Sequence, residues 1–156
     1  MIHVIGLGNF LRGDDAVGPL VIERLFKSGS VSGLNLVNAG ADPLTVLDYL
    51  SSADPVIIID CAKMGRKPGE VVEFNINEAN ITQVQNTLSL HGIGFADIYK
   101  MAVALGTPSP CKIIAVEPKD TGFDSHLSPE VEASIPEIIK LVMMETQHYA
   151  KENFNN

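Results

Sequence analysis

Cysteine is scarce in this chain: Cys61 and Cys111 are the only two, far apart and in no C-x-x-C pair. No thiolate metal site is apparent, and free thiols in a reducing, cytoplasmic compartment are expected. Basic residues are outnumbered, 11 Lys and Arg against 19 Asp and Glu, for a net charge of −8 with no basic cluster. That balance argues against nucleic acid or an anionic membrane as partner and suits cations or a basic protein segment. No apolar run is long enough to span a bilayer. The opening Met1-Ile2-His3-Val4-Ile5-Gly6 lacks the basic and long apolar regions of a signal peptide, and reads as a strand. Repeats, linkers and low-complexity segments are absent.

What remains is a globular composition, 46% apolar and 19% charged, long enough for one sizeable core. A single domain over residues 1–150 is expected, with 151–156 as a polar, frayed tail. Ile2 to Leu7 forms a buried strand. Apolar residues at Val17, Leu20, Val21, Leu25 and Phe26 then recur at helical spacing. Leu34 to Val37 is a second strand, and Pro43 to Leu50 a short helix opened by proline. Pro55 to Asp60 is apolar up to its last residue, as a strand buried on both faces would be. The polar turn from Lys63 to Gly69 is too short for a parallel crossover, which needs about a dozen residues. The next strand, Val71 to Phe74, should therefore run antiparallel. Helical spacing returns over Gly94 to Leu105, Lys112 to Val116 is the last strand, and Pro129 to about His148 is an amphipathic helix. Strands alternating with helices predict an open, mostly parallel sheet covered on both sides.

The loop Gly8-Asn9-Phe10-Leu11-Arg12-Gly13-Asp14-Asp15 has the glycine spacing of a phosphate-binding loop. Such a loop continues with Lys and then Ser or Thr. Here two carboxylates take those places, and they would repel phosphate and attract a cation. A dinucleotide site fits no better. Gly6-Leu7-Gly8-Asn9-Phe10-Leu11 lacks the third glycine, and Asn38 stands where the ribose-binding acid belongs.

Ligands of parallel sheets sit beyond the carboxyl ends of the strands. Asp15 follows the first strand and Asp60 closes the third, so the two acids share a crevice if those strands are neighbours. Asp14 or Asp15 can also serve as a helix cap, stabilising by about 1 kcal/mol. A carboxylate ending an apolar strand, as Asp60 does, is costly to bury unless paired or solvated. His91, in Ser89-Leu90-His91-Gly92-Ile93-Gly94, is either a solvated loop residue or a ligand for a borderline metal such as nickel or zinc. His126 reads as a surface residue. Asp97 reads as support for the His91 loop, and Glu117 as a residue at the same sheet edge. Two carboxylates and an imidazole leave coordination positions open, as a catalytic or recognition metal site does. The rival chemistry, two carboxylates sharing a proton, finds no D-[ST]-G loop here.

The run Gly6 to Gly18 resembles the amino-terminal signature of the hydrogenase maturation proteases, G-x-G-N-x-L-x-x-D-[DE]-x-x-G. Ile57-Ile58-Ile59-Asp60-Cys61-Ala62 resembles their third-strand acid segment, and His91-Gly92-Ile93-Gly94-Phe95-Ala96-Asp97 their histidine segment. The similarity continues through Ile114 to Pro118 and Gly122 to Pro129. It implies a three-layer α/β/α sandwich, phosphorylase/hydrolase-like. Its five-stranded sheet would have the order 2-1-3-5-4 with strand four antiparallel. The implied activity is an endopeptidase that trims the carboxyl-terminal extension of a nickel-iron hydrogenase large-subunit precursor after nickel insertion. The nickel arrives with the precursor and serves in recognition, and Asp15, Asp60 and His91 take the metal-contacting positions. The family has also been classed with aspartic proteases. Two departures stand out: Asp15 where many members carry Glu, and Asn38-Ala39-Gly40-Ala41 where many carry Asp-Gly-Gly-Thr. A non-cleaving carrier of nickel or precursor, and a metal-dependent hydrolase of small peptides or amides, are the competing readings.

Overall fold

A computed structural model describes residues 1–29, 31–77, 80–81, 93–123 and 126–154. Its strands are β1 (Ile2–Leu7), β2 (Leu34–Gly40), β3 (Val56–Cys61), β4 (Val71–Ile76) and β5 (Cys111–Val116). Its helices are α1 (Val17–Ser28), α2 (Pro43–Leu50), α3 (Phe95–Leu105) and α4 (Pro129–Phe154), and a 3-10 turn, Gly13–Ala16, precedes α1. The strands form one sheet in the order β2-β1-β3-β5-β4. β1 pairs in parallel with β2 and β3, β3 pairs in parallel with β5, and β4 runs antiparallel to β5. The direction of β4 is the one expected from the short β3–β4 connection, and the strand order is the one the family resemblance implies.

Every residue of β1 and β3 is buried, as their unbroken apolar runs require of central strands. The side chains divide by parity. Ile5, Leu7, Val56, Ile58 and Ile113 pack with α2 and α3 on one face. Val4, Ile57, Ile59 and Ile114 pack with α1 and α4 on the other. Helix α2 starts as its sequence dictates. Pro43 occupies its first turn, and Asp42 caps it by accepting from Leu44 N at 3.0 Å and Thr45 Oγ1 at 2.7 Å. Helix α4 outruns the expected end near His148 and continues to Phe154. Lys151 and Glu152, expected in a frayed tail, instead continue its solvated face, and His148 Nε2 lies 3.2 Å from Glu152 Oε1 one turn on.

Three helices, α1, α2 and α4, begin shortly after the carboxyl end of a parallel strand, so their amino ends gather at one edge of the sheet. The seating of α1 is the tightest contact. A Cβ on Gly18 would stand 2.3 Å from Leu7 O and 2.5 Å from Ile59 O, and one on Gly6 would stand 2.6 Å from Gly18 O. Only two glycines let this helix turn rest directly on the carbonyls of β1 and β3.

Gly18→Ala should therefore lower stability by about 3 kcal/mol, at the upper end of overpacking costs. The urea midpoint measures this, and an unchanged midpoint would show that α1 can lift off the sheet freely.

Candidate functional site

The site is built at the edge where the parallel strands end. β1 and β3 are neighbours, so the condition for Asp15 and Asp60 to share a crevice is met. The loop after β1 returns tightly on itself. Gly8 has φ +134°, and a Cβ there would lie 1.7 Å from Asp15 O. Any side chain at Gly8 would displace Asp15. The Asp15 carboxylate is held at both oxygens: Asn9 N donates to Oδ2 at 2.9 Å, and Cys61 Sγ donates to Oδ1 at 3.4 Å. Asp60, the last residue but one of β3, is fully buried; the strand runs one residue past its expected end, to Cys61. Asp15, Asp60 and Cys61 each offer a donor atom, and these atoms lie within 4.8 Å of one another. His91 lies outside the described residues.

Cys61 was not among the residues singled out in the sequence. Its signal was faint, a position directly after Asp60 at the end of an apolar strand. Burial, then the negative charges of Asp60 and Asp15, push its thiol far above the ordinary range. Cys111 starts β5, at the other end of the sheet, and burial alone pushes its thiol up to about 12.

Neither Asp14 nor Asp15 caps α1. The intervening 3-10 turn moves the cap position to Ala16, which makes no side-chain cap. Asp14 is instead fully buried, and it binds the segment that leads from β5 to α4. Its Oδ2 accepts from Lys119 N at 2.8 Å, Asp120 N at 3.0 Å and Ser128 Oγ at 2.9 Å, and its Oδ1 accepts from Ser128 N at 2.7 Å. Asp14 N in turn donates to Asp120 O at 2.9 Å. Arg12 adds a bond from Nε to Thr121 O at 3.3 Å and lies over the ring of the exposed Phe123.

The remaining candidates fall elsewhere. Glu117 is buried and braces the turn after β3, its Oε2 accepting from Met64 N at 2.6 Å. His126 lines a separate cleft of about 280 Å³ with Gly13, Lys119 and Ser128. Asp97 is exposed in the first turn of α3. Asn38 folds back on its own turn, Oδ1 accepting from Gly40 N at 3.1 Å. It also lines a cleft of about 270 Å³ with Gly8, Asn9, Phe10, Gly40 and Ala41. That cleft adjoins Asp15 through Asn9.

Comparisons with known proteins agree with this architecture. Residues 19–145 match the family model of the hydrogenase maturation proteases. The hydrogenase expression/formation protein HupD of Rhodobacter capsulatus is 27% identical over 137 residues, 86% of this chain and 65% of that protein. The chain thus spans just under two thirds of that relative's length. A putative hydrogenase maturation protease of Methanocaldococcus jannaschii is 29% identical over 149 residues, 90% of this chain and 85% of that protein. The solved structure of the hydrogenase maturating endopeptidase HybD from Escherichia coli superposes with a TM-score of 0.82, covering 95% of this chain and 93% of that one at 24% identity. At that identity the likeness establishes the fold.

Removing the Asp14 carboxylate leaves several buried N–H and O–H groups without their acceptor. Asp14→Ala should cost about 3 kcal/mol or more, read as a drop in the urea midpoint. A loss below about 1 kcal/mol would mean that water or a neighbour replaces the carboxylate.

Proposed function

The chain belongs to the hydrogenase maturation protease family, and from that premise we propose that it is the endopeptidase that removes the carboxyl-terminal extension of a nickel-iron hydrogenase large-subunit precursor once nickel is in place. The observation that carries this reading is the convergence of Asp15 and Asp60 from adjacent strand ends. Two oxygen donors fixed by the backbone suit a cation presented by a partner. The resemblance in the His91 segment adds His91 as the third contact. In this reading the precursor's nickel docks against Asp15, Asp60 and His91, which brings the tail to the crevice. Hydrolysis then breaks the peptide C–N bond and consumes one water, activated beside the metal or the carboxylates. Residues 1–150 form the protease domain, with α4 continuing past it, and the enzyme works in the cytoplasm. Among the described residues no helix is long and apolar enough to cross a membrane.

Incubation with nickel-loaded and nickel-free precursor, followed by mass spectrometry of the tail, tests the role of nickel. Only the loaded form should be cut; equal cleavage of both would remove nickel from recognition. Asp60→Asn keeps the shape of the side chain and should lower the processing rate by about 100-fold or more, with an unchanged circular dichroism spectrum. A well-folded variant of full activity would exclude Asp60 from the site.

A further inference from the structure

A sulfur atom stands beside the two carboxylates. Cys61 Sγ lies 3.4 Å from Asp15 Oδ1, and the donor atoms of Asp15, Asp60 and Cys61 all fall within 4.8 Å of one another. Oxygen donors sit about 2.0–2.2 Å and sulfur about 2.3 Å from a divalent ion, so donors around one tetrahedral ion lie about 3.5 Å from one another. The Cys61–Asp15 pair already has this spacing, and closing the remaining separations by up to about 1.3 Å would bring all three atoms onto one ion. The sulfur is also rigidly placed. Cys61 is the last residue of β3, in register with Val116 of β5, and the next residue, Ala62, donates its N–H to Val116 O at 2.9 Å.

The geometry points to Cys61 as a third donor from this chain, a sulfur ligand that biases the site toward a borderline, thiophilic divalent cation such as nickel. Thiolate prefers such ions, whereas carboxylates alone suit hard ions such as magnesium and calcium. On binding, the S–H bond breaks as the metal–sulfur bond forms, and one proton is released to solvent for each ion taken up. No oxidant or reductant is required. Where the ion is the nickel of a hydrogenase precursor, the inference rests on the proposed protease function; uptake of the free ion does not.

Serine distinguishes a ligand from a mere hydrogen-bonding partner. Cys61→Ser keeps a donor for Asp15 Oδ1 but replaces sulfur with oxygen. The experiment titrates the purified full chain with cobalt(II) and nickel(II), without precursor, and reads the near-ultraviolet sulfur-to-metal charge-transfer absorbance. Wild type and Cys111→Ser should both show the band. Cys61→Ser should lose it and bind nickel at least about tenfold more weakly. A band that survives in Cys61→Ser would overturn the inference, as would metal bound by wild type without a band, or no metal bound at all. Cleavage of nickel-loaded precursor by wild type is scored separately. Cleavage without a band removes the sulfur ligand and leaves the protease reading intact; a band without cleavage does the reverse.

Discussion

The direct seating of α1 on the sheet is the constraint from which the rest of the site follows. A helix ordinarily stands off a sheet by the length of its side chains. Here Gly18 and Gly6 meet backbone to backbone, so the first turn of α1 lies against the ends of β1 and β3. The loop from Gly8 to Asp15 must then close over a short span. Its shape is set by φ +134° at Gly8 and by a contact with Asp15 O that no side chain would permit. Asp15 is therefore positioned by steric necessity before any hydrogen bond is counted.

The two consecutive acids divide the work. Asp14 turns inward and gives its carboxylate to four donors from the β5–α4 segment. Asp15 turns toward Cys61 and Asp60. A 3-10 turn makes this possible, because neighbouring side chains on it diverge widely. Ser128 extends the coupling: its hydroxyl donates to Asp14 and accepts from Val131 N at 3.4 Å within α4. The start of α4 is thus bound to the turn that carries Asp15.

Much of this was legible in the sequence. Unbroken apolar runs marked the central strands, and the short turn before Val71 fixed the direction of β4, since chain length alone forbids a parallel return. Asp60 was legible because a charge at the end of such a run demands a reason. The partners of Asp14 were not legible. A cap and a buried long-range acceptor look alike locally, and the deciding donors lie more than a hundred residues away. The place of Cys61 is not legible for a related reason. Its spacing to other cysteines excluded a thiolate cage, yet its partners are carboxylates supplied by the fold. Helix α4 runs on to Phe154 because polar residues that end a core pattern do not end a helix.

The gathering of helix amino ends at this edge has a consequence for its electrostatic potential. Each such end carries roughly half a positive charge, and α1, α2 and α4 all start there. The crevice is therefore less negative than its acids suggest. Partial charges fixed in the backbone temper the mutual repulsion of Asp14, Asp15 and Asp60. A binding site for positive charge can in this way be held ready, its acids close together, before the cation arrives.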